Sequence, residues 1–93
     1  MKKIFQITFI IFFFSNPIYA KTQYLQEGIN LYENKKFKEA QFKFEKDIVF
    51  NPRSELSYMY LSKIFKNLDK KELQEQNLNT VILLNPKNEE AIF

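Results

Sequence analysis

Few side chains in this 93-residue sequence could carry out chemistry. It contains no histidine and no cysteine, which excludes nucleophile–base pairs and metal sites built on imidazole or thiolate. Ser62 and Lys66 stand one helical turn apart, the spacing that a serine nucleophile and a lysine base would need. An exposed serine and lysine on a helix give the same pattern. We therefore predict no catalytic, metal-binding or cofactor-binding residues.

Phosphate chemistry also lacks the residues it needs. A phosphate-binding loop requires several glycines, whereas this sequence has one, Gly28. The paired acids Glu89 and Glu90 stand at a predicted helix start, where carboxylates stabilise the positive end of the helix dipole. Their role is predicted to be structural, and the chain is not predicted to be an enzyme.

The positive net charge does not indicate a nucleic-acid partner. Of the 14 Lys and Arg residues, Lys2 and Lys3 belong to the N-terminal segment, so 14 − 2 = 12 basic residues face 11 acidic ones, a net charge of +1. Along residues 39–47 the two signs are interspersed, which is typical of a solvated helix face rather than of a phosphate-binding stripe. We predict no nucleic-acid partner.

Residues 1–20 have the layout of a secretory signal peptide. A basic start precedes residues 4–14, an 11-residue run that is apolar at all but two positions. A proline then breaks the run, and Ala20 supplies a small residue before a charged one. We predict cleavage after Ala20 and export of residues 21–93 to the periplasm.

A membrane anchor is the alternative for residues 1–20. A spanning helix needs roughly 20 apolar residues, many more than this run offers. Ile18, however, is bulkier than the residue usual three positions before a cleavage site. A lipid-anchored form is excluded, because there is no cysteine to carry the lipid. Contact with the membrane is thus predicted only through the signal peptide, before its cleavage.

A 34-residue period runs through residues 21–88. Asn51-Pro52 recurs as Asn85-Pro86, and Tyr24 recurs as Tyr58, each 34 residues later. A proline disfavours helix at the residue before it. Each Asn-Pro pair therefore predicts the end of one helix and the approach to the next.

Apolar residues between these points step at helical spacing. The spacing predicts helices over 22–33, 37–50, 55–67 and 70–84, with a fifth beginning near Asn88. Polar Ser54 and Asn88, each followed by an acid, are predicted caps. Asp69 and Glu72, three residues apart, predict a capping box at the start of the fourth helix. The predicted fold class is all-α.

Residues 21–54 resemble the tetratricopeptide repeat family, whose unit is a 34-residue pair of antiparallel helices. Aromatic, small and large residues and the closing proline occupy the family's positions: Tyr24, Gly28, Leu31, Phe37, Ala40, Phe44 and Pro52. Two positions depart, since Glu27 replaces the usual leucine and Asp47 replaces the usual alanine. The resemblance implies that the helices of the pair touch at Gly28 and Ala40.

Residues 55–88 resemble the same motif more loosely. The matching residues are Tyr58, Leu61, Ser62, Phe65, Leu78, Val81 and Pro86. Lys71 and Gln74 replace an aromatic residue and an alanine, so either this pair packs loosely or its second helix is rotated to turn Leu73 inward. The resemblance implies an α-solenoid of two antiparallel helix-pair repeats, with residues 89–93 beginning a third or forming a shortened cap. An unrelated array of helical hairpins is the alternative.

The resemblance also implies a binding surface, because the first helix of each pair lines a concave groove in this family. The groove residues carried onto this sequence are Leu25, Ile29, Tyr32, Leu56, Met59, Lys63 and Lys66. Chaperone-binding members grip a terminal carboxylate with lysine and asparagine at the positions of Leu25 and Ile29, so that clamp is missing. The predicted function is a non-catalytic adaptor or scaffold that binds peptide segments of envelope proteins.

Within this groove, Tyr32 and Met59 are the predicted anchors, and neither is assigned to the core. Lys63 and Lys66 are predicted to attract an acidic group of the partner. The alternative for the groove residues is packing between adjacent helix pairs.

The last helix pair is predicted to leave an apolar face uncovered, since solenoids usually need about three repeats and a polar cap. This face, around Val81, Ile82 and Ile92, could meet a second copy, meet a partner, or continue into a longer protein. The alternative function is therefore a structural or assembly protein that self-associates through this terminal face.

Overall fold

A computed structural model describes residues 22–92 of the chain, and the predicted signal peptide and its cleavage site lie outside these residues. The described part is all-helical, as predicted. Its helices are α1 (Gln23–Glu33), α2 (Phe37–Phe50), α3 (Glu55–Asn67), α4 (Lys71–Leu84) and α5 (Glu89–Ile92). The predicted helix boundaries are confirmed to within one residue.

The helices pack in adjacent antiparallel pairs. In the first pair, Glu27 of α1 forms an ion pair with Lys43 of α2, with 3.0 Å between Oε1 and Nζ. Further along α1, the ring of Tyr32 packs on Phe37, at the start of α2. In the second pair, Glu55 at the start of α3 accepts a hydrogen bond from the Asn85 amide, just after the end of α4. Helix α5 packs on α4.

Both helix pairs end in the same way, at the two Asn-Pro steps. Asn51 and Asn85 have φ of −138° and −147°, the extended backbone that a following proline favours. Their amides donate to the carbonyls of Asp47 and Val81 at 2.7 and 2.8 Å. The predicted ends of α2 and α4 are thus confirmed.

The tight turns within the pairs also recur after 34 residues. Lys35 and Asp69 lie in the left-handed region, with φ of 62° and 58°. In each turn the following amide, of Lys36 or Lys70, donates to the carbonyl five residues back at 2.9 or 2.8 Å. These are Schellman motifs without the usual glycine, so positive φ costs roughly 1–2 kcal/mol at Lys35 and less at Asp69, because aspartate tolerates this region better.

The predicted capping box at Asp69 and Glu72 is wrong. Asp69 lies in the left-handed region within the preceding turn. The N-cap residue of α4 is Lys70 instead, and its side chain makes no capping hydrogen bond. The other two predicted caps are confirmed. The side-chain oxygens of Ser54 and Asn88 accept from the backbone amide three residues on, at 3.4 and 3.1 Å.

The main core lies between α1, α2 and α3. Its buried residues are Leu25, Ala40, Phe44, Leu61, Ile64 and Phe65. Gly28 makes this packing possible, because a Cβ at that position would lie 2.8 Å from a ring carbon of Phe44. The predicted contact of the first two helices at Gly28 is therefore confirmed, and Ala40 is fully buried in the same core.

The second pair has a smaller buried apolar cluster than the main core. A small cluster joins Met59, Val81 and Ala91, and Val81 is the buried residue of α4. Leu73 stays 38% exposed, so the alternative that turned it inward is wrong. Val81 is fully buried, so its assignment to an uncovered terminal face is wrong. The side chain of Ile92 lies outside the described part of the structure.

Candidate partner-binding groove

The seven predicted groove residues fall into two groups. Four are buried in, or packed against, the two apolar clusters: Leu25, Ile29, Tyr32 and Met59. The other three reach solvent: Leu56, Lys63 and Lys66. These seven residues therefore do not form a single continuous groove face.

Tyr32 belongs to an aromatic cluster. Its ring centre lies 5.5 Å from that of Phe37 and 5.1 Å from that of Tyr60, and Tyr60 in turn stacks on Phe44 at 4.9 Å. The assignment of Tyr32 outside the core is thus wrong. Sequence reasoning missed Tyr60, although its position four residues before buried Ile64 puts the two on one helix face.

Met59 is packed as well, with only 7% of its surface exposed. It lies against Val81 of α4 and Ala91 of α5. Its predicted place outside the core is wrong, because the fifth helix covers it. Met59 nevertheless keeps contact with an open space between the helices.

That space is a cavity of about 190 Å³ between α3, α4 and α5. Its lining residues are Met59, Ser62, Lys63, Lys66, Gln74, Leu78 and Glu90. The structure therefore brings together three of the predicted groove residues, Met59, Lys63 and Lys66. A single water molecule needs roughly 10–15 Å³ of such space, so the cavity is larger than one water requires and is open to solvent on one side.

An ion pair stands at this cavity. Lys63 Nζ lies 2.8 Å from a carboxylate oxygen of Glu90, and the hydrogen bond to that carboxylate raises the pKa of Lys63. Lys66 is exposed and, within residues 22–92, has no carboxylate at ion-pair distance. The cavity thus offers an apolar wall from Met59 and Leu78 and one unneutralised ammonium.

The Ser62 hydroxyl is engaged elsewhere. It is buried and donates to the Met59 carbonyl at 2.6 Å. This hydrogen bond lies within α3 and directs the hydroxyl hydrogen towards the backbone. The serine–lysine spacing noted in the sequence therefore corresponds to a backbone-bonded serine beside an exposed lysine.

A buried carboxylate links the first helix pair to the second. Asp47 is fully buried and accepts hydrogen bonds from the hydroxyls of Thr22 and Ser57, the latter at 2.5 Å. Thr22 also caps α1 by accepting from the Leu25 amide. The sequence shows Asp47 only as a departure from the repeat pattern, and no local spacing reveals Ser57 as its partner.

Residues 22–92 contain no group of three His, Cys, Asp or Glu side chains placed to hold a metal ion. No helix within this range has the length and apolar character needed to cross a membrane. Comparison of the chain with protein-family models, curated proteins and solved structures found no match.

Proposed function

We propose that this chain is an exported, non-catalytic adaptor made of two tetratricopeptide-like repeats, which binds a peptide segment of an envelope protein. Structural repetition carries the proposal. The turns at Lys35 and Asp69 and the helix ends at Asn51 and Asn85 recur after 34 residues with equivalent hydrogen bonds. Stacked helix-pair repeats are used mainly as extended binding surfaces.

The cavity between α3, α4 and α5 is the proposed centre of binding. Met59 and Leu78 give an apolar wall for a partner side chain, and Lys66 attracts an acidic group beside it. Leu56, at the exposed start of α3, offers further apolar area. An extended or helical segment with alternating apolar and acidic residues matches this combination.

Site-specific photo-crosslinking tests this proposal. A photoreactive amino acid replaces Gln74, which lines the cavity, and in a matched control it replaces Glu75, an exposed α4 residue that does not line it. In envelope extracts, the Gln74 position should crosslink to a discrete protein and the Glu75 position should not. Equal crosslinking from both positions would contradict a binding site in the cavity.

Export is tested separately. The intact mass of protein recovered from the envelope fraction should correspond to a chain beginning at Lys21, as the sequence around Ala20 predicts. Uncleaved chain in the membrane fraction would favour the anchor interpretation of residues 1–20.

Self-association is the second candidate function. Leu83 on α4 favours it, because this large apolar side chain is 82% exposed. An assembly protein should grow in mass with concentration, and Leu83→Lys should abolish that growth. An adaptor should stay monomeric until its partner is added.

A further inference from the structure

The first helix pair carries an apolar surface that the proposed adaptor function does not use. Phe42, Val49 and Phe50 of α2 are 54%, 74% and 68% exposed. Phe42 and Val49 are seven residues, about two turns, apart, on the side of α2 opposite buried Ala40 and Phe44. Phe42 and Val49 therefore belong to one apolar stripe along α2 and are not isolated exposed residues.

Aromatic rings and a lysine complete this surface. The ring of Tyr24, at the start of α1, stacks on Phe50 with 5.8 Å between centres. Lys46 Nζ lies 4.6 Å from the ring centre of Phe42 and 5.3 Å from that of Tyr24. We call these five residues, Tyr24, Phe42, Lys46, Val49 and Phe50, the outer α2 face.

This composition is typical of protein surfaces at a membrane interface. Tyrosine rings lie at the level of the lipid headgroups, and phenylalanine is typical of the buried face of helices that lie on a membrane. A lysine stem packs on apolar surface while its ammonium reaches a phosphate. The exposed acids Glu39 and Glu45 are also on α2, so burial of apolar area rather than charge should dominate binding. A helix that lies on a membrane needs only such a face and does not have to span it.

The chain itself brings this face close to a membrane. Residues 4–14 are the apolar run, and only seven residues, 15–21, separate it from Thr22, which caps α1. Seven residues span at most about 25 Å. While residues 4–14 are in a bilayer, Tyr24 and its neighbours are thus kept near the lipid surface, which raises their effective concentration there.

We propose that, before cleavage after Ala20 and while residues 4–14 are in the bilayer, the outer α2 face docks on the lipid surface of that membrane. Phe42, Val49 and Phe50 enter the headgroup region, and Lys46 contacts lipid phosphates. None of these residues lines the cavity between α3, α4 and α5. Docking therefore orients the first helix pair on the bilayer without using any side chain of the proposed partner site.

Tryptophan fluorescence tests this docking, because the chain contains no tryptophan. The full chain is placed in phosphatidylethanolamine–phosphatidylglycerol vesicles whose acyl chains carry bromine, a quencher of tryptophan. Two variants, Phe42→Trp and Phe50→Trp, report on the outer α2 face. The control is Leu83→Trp, an apolar position on α4 that is more exposed than either reporter position.

We expect strong quenching of both outer-face tryptophans and none of the control. With Phe50→Trp as reporter, Lys46→Gln should lower the ratio of docked to undocked chain about fivefold, the factor given by one lysine near an anionic surface. In neutral phosphatidylcholine vesicles the same substitution should change the ratio little.

Three results would overturn the proposal. One is the absence of quenching at both outer-face positions. Another is equal quenching at all three positions, which would mean that the chain has no preferred docking face. The third is unquenched emission from Phe50→Trp that shifts to the blue as protein density in the vesicles rises, which would assign this face to contact with a second copy.

Discussion

Replacing Asp47 with alanine should strongly destabilise the fold, although alanine is usual at the equivalent position of the tetratricopeptide motif that residues 21–54 resemble. Asp47→Ala removes the acceptor for two hydroxyls, those of Thr22 and Ser57. The Ser57 hydroxyl is fully buried, so water cannot replace the carboxylate there. This substitution therefore tests whether tertiary packing outweighs the repeat pattern.

The magnitude follows from the buried groups. A buried hydroxyl left without a partner costs roughly 1–3 kcal/mol, and hydrogen bonds to a charged group contribute about 1.5–3 kcal/mol each. Thr22 is only partly buried and contributes less. We expect a loss of about 3 kcal/mol, a large fraction of the ~4–10 kcal/mol of total stability expected for 71 ordered residues.

Urea unfolding followed by circular dichroism measures this loss. The decisive comparison is the double variant Asp47→Ala/Ser57→Ala. In the double variant, no Ser57 hydroxyl is left buried without an acceptor. The double variant should therefore lose roughly 1–2 kcal/mol less stability than the two single variants lose together. Glu45→Ala, at an exposed position of the same helix, should change stability by no more than about 0.5 kcal/mol.

Two outcomes would refute this reasoning. One is an Asp47→Ala variant at least as stable as the parent, which would mean that the carboxylate is not needed to link the helix pairs. The other is strict additivity of the two single losses, which would mean that Asp47 and Ser57 are not coupled.

Three further perturbations test the turns, the core and the surface charge. Lys35→Gly should raise the free energy of unfolding by about 0.5–1 kcal/mol by relieving positive φ, and Asp69→Gly should raise it less because aspartate tolerates that region better; urea midpoints that fall would contradict this. Ala40→Leu should overpack the first helix pair and cost about 1–3 kcal/mol, whereas Lys38→Leu should leave the melting temperature nearly unchanged. The hydrogen bond from Lys43 lowers the pKa of Glu27. The ion pair between them therefore stabilises the fold above the ordinary glutamate pKa, and this stability is lost as the pH falls through the lowered pKa of Glu27. Glu27→Gln should therefore lose less stability than the parent between about pH 5 and pH 3, and equal losses would show that this pair does not contribute.

Local sequence signals were sufficient for the helices and their ends. The Asn-Pro steps at Asn51 and Asn85 restrict the backbone directly, and the structure shows both as helix ends. The failed capping box shows the limit of such signals. Asp69 carries a side chain suited to capping, but the preceding turn places its backbone in the left-handed region, and that competing demand is not visible in a three-residue spacing.

Positions that depend on a third helix could not be predicted. Helical spacing shows which residues share a face of one helix, but not which neighbour covers that face. Tyr32 is covered by Tyr60, and Met59 is covered by Ala91 of α5. Both covering residues come from other parts of the chain, so helical spacing did not reveal that the two predicted anchors pack against the apolar clusters.

The most direct test of the proposed function uses the Met59 methyl group. Met59 is the chain's only methionine besides Met1, and it lines the cavity between α3, α4 and α5. In a chain labelled with ¹³C at its methionine methyl groups, Met59 thus gives one NMR signal from the proposed site. The partner segment recovered by crosslinking from the Gln74 position is titrated against this chain.

We predict that the Met59 signal shifts to saturation as the segment is added, and that Lys66→Gln shifts the same titration to higher concentrations of the segment. A variant of the segment that lacks its acidic and apolar side chains should leave the Met59 signal unshifted. A segment that binds with full affinity, shown by shifts of backbone amides elsewhere, while the Met59 signal stays in place would contradict binding in the cavity.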